Sequence, residues 1–394
     1  MKTLIKSVIL IFTVALFTSC DSDDDVNIQP TGESKLFTLN SVANPSISGT
    51  ARFVENSDNS TTIELQLTGT PDGGQHPAHI HFNTAAEGGD IALTLGTVNG
   101  DTGFSTVTTS TLNDGTSITY DQLLQFDGYI NVHLSANELE TLVAQGDIGQ
   151  NELTATTKVY ALGEVDVDGI SGTATFTERV NGEVLATLAL QNTPDGGMHP
   201  AHIHDNTALE GGDIAYTFNA VNGTTGTSST NFDDISFENI LAYDGYINVH
   251  LSMDDLATLV AQGDIGQNEL TGESTTYALA TVDVAGISGD VTFEERVNGD
   301  ALATISLIGT PDGGMHPAHI HAGSVATAPG AIVFTFNQVD GTTGVSKTNV
   351  SALDDDSVFG YDEAVAVDGY VNVHLSMADL ATLVAQGNVG ANVN

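Results

Sequence analysis

The chain of 394 residues has one cysteine, no tryptophan and only eight basic residues. With Cys20 alone no intrachain disulfide can form, so every folded part must be held by burial of apolar surface. Eight Lys and Arg face 51 Asp and Glu, a net charge of −43 with histidine neutral. Such a charge excludes nucleic acid and anionic membrane surfaces as partners. It suits solubility in a salty exterior, or weak collection of cations. No apolar run is long enough to span a bilayer as a mature helix. No Ser-His-Asp or Cys-His set suited to nucleophilic catalysis stands outside the repeats described below.

The lone cysteine has a telling position. Lys2 and Lys6 precede an apolar run from Val8 to Phe17, which ends in Phe17-Thr18-Ser19-Cys20. That pattern predicts a secretory signal over residues 1–20. Its end resembles a bacterial lipobox, which implies that Cys20 is the lipidated residue. Asp21-Ser22-Asp23-Asp24-Asp25 opens an acidic stretch, 21–35, similar to the tether of some Gram-negative lipoproteins. The resemblance implies a lipid-anchored protein of the outer membrane, exposed at the cell surface, touching the membrane through its lipid only.

Histidine is confined to two motifs. His76-Pro77-Ala78-His79-Ile80-His81 recurs as His199-Pro200-Ala201-His202-Ile203-His204 and His316-Pro317-Ala318-His319-Ile320-His321. Each copy follows Thr-Pro-Asp-Gly-Gly, beginning at Thr70, Thr193 and Thr310. Each is answered downstream by Asp-Gly-Tyr-(Ile/Val)-Asn-Val-His-Leu-Ser, carrying His133, His250 and His374. These account for all 12 histidines. The period, about 120 residues, is too long for a solenoid unit and right for a whole domain. The chain is therefore divided into 36–157, 158–274 and 275–394.

Within each copy, short segments rich in Val, Ile, Thr, Leu and Phe are punctuated by Gly, Asn and Asp. Thr61 to Leu67 and Thr173 to Arg179 are examples, and Asn298-Gly299 is a hairpin signal. The expected fold is all-β: three tandem antiparallel Greek-key sandwiches or barrels, each with one short helix. Ser135-Ala136-Asn137-Glu138 has the form of a capping box with Leu139, Leu142 and Val143 as an apolar stripe, which places that helix after His133. Ser252/Asp255 and Ser376/Asp379 repeat the device. Copies differ in length at loops such as 112–119 and 352–360, expected to face solvent.

Strand alternation puts His79 and His81 on one face and Ile80 on the other. Tyr129, Asn131 and His133 likewise share a face opposite Ile130, Val132 and Leu134. With the apolar set inward, three imidazoles meet outside the sheet, under a loop. His76 stands in the lead-in, as a fourth ligand or as a support to the others. The same holds for His199, His202, His204 and His250, and for His316, His319, His321 and His374. Three imidazoles with an open position suit Cu or Zn. The competing arrangement is a metal-free cluster whose rings bond loop carbonyls and the Asp of Pro-Asp-Gly-Gly.

A Gly-rich turn, His-Pro-Ala-His-Ile-His, Gly-Tyr-(Ile/Val)-Asn-Val-His and a following Gln-Asn-Glu-Leu-Thr stretch together resemble the CHRD domain, named for chordin. That last stretch stands at 150–154 and 267–271 and fails at Gly390-Ala391-Asn392-Val393-Asn394, which puts the last strand of the third copy in question. The resemblance implies an extracellular β-sandwich with a protein or polymer partner. The His-x-His spacing with a later Val-His is also similar to copper/zinc superoxide dismutase, which implies copper-type ligands at His79, His81 and His133 and their counterparts. No histidine is left for that enzyme's bridging and zinc ligands, and few cations are present to steer an anionic substrate. These readings lean away from an enzyme. They point to a surface-anchored binding module with one candidate metal site per copy. A copper redox enzyme and a metal-free adhesion module are the alternatives.

Overall fold

The computed structural model describes residues 28–43 and 46–393. The signal, Cys20 and the acid run at 21–25 lie outside the described residues. In the first repeat the strands are β1 (Pro30–Ser41), β2 (Ser48–Asn56), β3 (Thr61–Thr68), β4 (Gln75–Phe82), β5 (Ile91–Asn99) and β6 (Phe104–Thr109). Helix α1 (Tyr120–Leu123) then precedes β7 (Asp127–Ser135) and β8 (Glu138–Gly149). The second repeat runs β9 (Leu153–Glu164), β10 (Ser171–Arg179), β11 (Val184–Gln191), β12 (Met198–Asp205), β13 (Ile214–Asn222) and β14 (Thr227–Phe232). It closes with α2 (Phe237–Leu241), β15 (Asp244–Ser252) and β16 (Asp255–Gly266). The third follows with β17 (Leu270–Thr281), β18 (Ser288–Arg296), β19 (Ala301–Ile308), β20 (Met315–Ala322), β21 (Ile332–Asp340) and β22 (Val345–Val350). After these come α3 (Tyr361–Ala366), β23 (Asp368–Ser376) and β24 (Asp379–Gly390).

Neighbouring strands in the first barrel run β1-β2-β3-β6-β5-β4-β7-β8, all antiparallel, a Greek-key order. The second barrel repeats that order and also closes; the third has the same order, open between β21 and β22. In the closed barrels the β5–β6 and β13–β14 seams are each held by a single pair, Asn99 with Phe104 and Asn222 with Thr227.

Period-two burial builds each core. Along β3, Ile63, Leu65 and Leu67 are buried, whereas Gln66 and Thr68 are exposed. Phe37, Phe53, Ile80, Val132 and Ile148 join them in one cluster. Each such side chain contributes roughly 1.5–3 kcal/mol on burial, so a barrel of this size needs no disulfide.

Four sequence expectations meet a different structure. The short helix exists in each repeat, but before the His133 strand, where Thr119 Oγ1 accepts from Gln122 N to cap α1. The Ser135–Glu138 segment is instead the tight turn of the β7–β8 hairpin, with Ser135 paired to Glu138. In the later copies Ser252 Oγ accepts from Asp255 N at 3.1 Å and Ser376 Oγ from Asp379 N at 3.2 Å. The same side-chain chemistry that caps a helix here tightens a turn. Second, residues 150–152 form a turn, and Leu153 opens β9 of the second barrel, where it pairs with Arg179. Third, the last strand of repeat 3 is β24, as long as β8 and β16, so the departure at Gly390–Asn394 removes no strand. At the other end, β1 begins at Pro30, inside the stretch assigned to the tether.

Candidate metal centre

Antiparallel pairing of β4 with β7 sets His79 opposite Asn131 and His81 opposite Tyr129. His133 is then the diagonal neighbour of His79 on the outer face, within reach of a ring. Register shifts at Ile80/His81 and at Val132/His133 turn the three rings toward one another. His79, His81 and His133 each offer one nitrogen, and these lie within 4.8 Å of one another. His202, His204 and His250, and His319, His321 and His374, do the same. The three triads are positioned to hold a metal ion, one in each repeat.

Hydrogen bonds identify the nitrogens. His81 Nδ1 donates to Gly89 O at 2.9 Å and His133 Nδ1 donates to Leu139 O at 2.5 Å. Both rings are thereby fixed in the tautomer that leaves Nε2 as a lone pair. His133 Nε2 faces His79 Nδ1 at 3.2 Å. The Nε2 atoms of His81, His204 and His321 are buried and have no protein partner. In the third repeat His319 Nδ1 and His374 Nε2 are also buried without one. Buried nitrogens left unpaired are costly, and a cation shared among them removes that cost. With metal–nitrogen bonds of about 2.0–2.1 Å, ligand nitrogens stand roughly 3.3–3.6 Å apart. The His79–His133 pair, at 3.2 Å, stands just inside that spacing, and all three nitrogens lie within 4.8 Å of one another.

The surroundings of two rings in each triad disfavour the protonated form. Burial pushes His79 below the ordinary imidazole range, and the neighbouring His133 and His81 push it further. His133 is lowered mainly by burial, against the opposing hydrogen bond to Leu139. His202, His250, His319 and His374 shift in the same direction, burial first. A neutral imidazole is the form that binds a metal.

Second-layer contacts are repeated as faithfully as the ligands. Tyr129 stacks on His81 with centroids 5.0 Å apart, and its hydroxyl accepts from Gly89 N at 3.2 Å. Tyr370 stacks on His321 at 5.2 Å and accepts from Gly330 N at 2.8 Å. A side chain at position 89 would place its Cβ 2.1 Å from Phe82 O, which is why glycine supplies the carbonyl that orients His81. Gly212 and Gly330 occupy the same place against Asp205 O and Ala322 O. Sequence reasoning missed this second glycine pair, Gly88-Gly89 and Gly211-Gly212, although its spacing from the His motif could have revealed it.

His76, His199 and His316 do not join the triads. Strand β4 extends back to Gln75, so parity places His76 with Ala78 and Ile80 on the barrel interior, 1% exposed. Of the two expected roles, the geometry contains the supporting one: His76 Nδ1 donates to His133 O at 3.2 Å, and His316 repeats this on His374 O. The second glycine of Pro-Asp-Gly-Gly makes room for the ring, since a Cβ at Gly74 would lie 2.6 Å from His76 Nε2.

Compared with family models, with curated proteins and with solved structures, the chain gives no match.

Proposed function

We propose that this chain is a surface-anchored extracellular metal-binding module that carries one borderline transition-metal ion, Cu or Zn, at each of its three imidazole triads. The carrying observation is that three ring nitrogens converge in every repeat and that one of them, Nε2 of His81, His204 or His321, is buried and unpartnered while the other nitrogen of its ring is tied to a carbonyl. All-imidazole donor sets suit both ions, with Cu favoured by intrinsic affinity. The CHRD-like arrangement of motifs supports an extracellular binding role, and the chemistry lies in the ions held.

Protein stripped with chelator and reloaded with Cu2+ or Zn2+ is expected to bind three ions per chain. The double variant His79→Ala/His81→Ala is expected to bind two. Absence of stoichiometric metal under both conditions overturns the proposal and leaves a metal-free module. The copper redox reading draws on the partial exposure of His79, which leaves a coordination position reachable from solvent. Turnover by the copper-loaded protein, set against its zinc form, decides for or against it. The anchor rests on the signal-like run before Cys20. Cys20→Ala is expected to lose lipid labelling and partition into the aqueous phase, and unchanged membrane partitioning would count against it.

A further inference from the structure

The described chain has six basic residues, and two of them are fully buried: Arg179 and Arg296, each 1% exposed. Both sit at the end of the second strand of a repeat and reach into the repeat before. Arg179 donates from Nη1 to Asp147 Oδ2 at 2.7 Å and also to Asn151 O, while its Nε donates to Asn231 Oδ1 at 2.7 Å. Arg296 Nη1 bonds Asp264 Oδ2 at 2.7 Å and the Asn268 carbonyl. Backbone bonds accompany them, Val180 N to Glu152 O and Asn181 N to Gln150 O, repeated by Val297 and Asn298 on Glu269 and Gln267.

The groups that Arg179 grips also hold the loop over the first triad. Asp147 Oδ1 accepts from Ala85 N at 2.8 Å. The Asn151 side chain donates to Asn83 O at 3.0 Å. Residues 83 and 85 lie on the short loop that leads from His81 to Gly89, whose carbonyl orients the His81 ring. The second repeat matches: Asp264 Oδ1 accepts from Ala208 N and Asn268 donates to Asn206 O. In the third, Asn388 stands where the aspartate was, still accepting from Val325 N at 2.8 Å, and among the described residues no arginine is bonded to it. In the first repeat the arginine position is Asn56, bonded within its own repeat to Ser60 and Thr62.

We infer that Arg179 and Arg296 are positioning residues for the first and second histidine sites, so that each of these sites is completed by the repeat that follows it, while the third is self-sufficient. This rests on the proposed metal role of the triads. The arginine acts through a relay of hydrogen bonds: guanidinium to carboxylate, carboxylate to loop amide, loop carbonyl to imidazole. Outer-layer partners of this kind tune affinity by orienting ligands they do not replace.

The test uses full-length chains in which His→Ala pairs silence two triads and leave one, titrated with Zn2+ against a chromophoric chelator. Arg179→Met is expected to weaken Zn2+ at the first site by about tenfold or more and to leave the third unchanged. Adding Asp147→Asn to Arg179→Met recreates the arrangement of the third repeat and is expected to restore most of the affinity. No change at the first site, or an equal loss at the third, overturns the inference. If the parent chain takes up no Zn2+, the metal reading fails by itself, and exchange of the Ala85 amide then decides the relay. Protection that Arg179→Met removes supports it; protection that persists overturns it.

Discussion

The two inner junctions and the far end of the third repeat are built from the same strands, yet they are finished differently. At each junction a buried arginine meets a carboxylate whose other oxygen holds the loop above a histidine triad. At the end of repeat 3 the loop is held the same way, but by the amide of Asn388. Asn56 likewise replaces the arginine at the start of the array. The triads keep the same residues in all three repeats, while their outer supports differ: a carboxylate where an arginine of the following repeat meets it, an amide in repeat 3. A carboxylate is useful at this position when a guanidinium neutralises it; where none arrives, the uncharged amide makes the same loop contact without a lone buried charge.

That contrast is broken most directly by removing the acid. Asp147→Leu strands a buried guanidinium and is expected to lower unfolding stability by about 3–5 kcal/mol. Asn388→Leu gives up one neutral hydrogen bond to an exposed loop and is expected to cost about 1 kcal/mol or less. Urea denaturation of the two full-length variants compares them, and equal losses would mean that the junctions carry no special energy.

A smaller effect separates the triads themselves. His319 feels the carboxylate of Asp354, which opposes the downward shift of its ring, whereas the corresponding residue facing Thr94 is the neutral Asn113. Asp354→Asn is therefore expected to lower the pH at which His319 protonates in metal-free protein, as read by imidazole NMR titration, and to leave His79 unchanged. Both rings stay below the ordinary value of 6.5. Their lowered values mean that the unfolded chain binds more protons than the folded one as pH falls below 6.5. Stability contributed by the neutral rings is full above that value and is lost on acidification through the folded values. The midpoint of thermal unfolding of the metal-free protein should accordingly fall as pH drops below 6.5.

Much of the site was legible because a strand has period two. The offsets of His79, His81 and His133 from Ile80 and Val132 fix which way each ring turns. The same logic misplaced His76, since the proline after it concealed that β4 already includes it. The hairpin at Ser135 looked helical for a physical reason. Register shifts around His133 interrupt the two-residue alternation, leaving Leu139, Leu142 and Val143 at a helix-like spacing. The joints were invisible because a charged residue ending a strand resembles any exposed terminus; only the scarcity of cations in this chain marked Arg179 and Arg296 as unusual.

The asparagines at positions 56 and 388 bear on assembly between molecules. A head-to-tail contact that repeats without closing builds an open filament. The joint within this chain is of that heterologous kind: one face of a repeat offers the arginine, the opposite face of its neighbour the acid. Two molecules meeting end to end through repeats 3 and 1 would bring Asn388 against Asn56, with neither charge available. The arginine–aspartate contact that orders the repeats inside one chain is therefore not available between repeat 3 of one chain and repeat 1 of another.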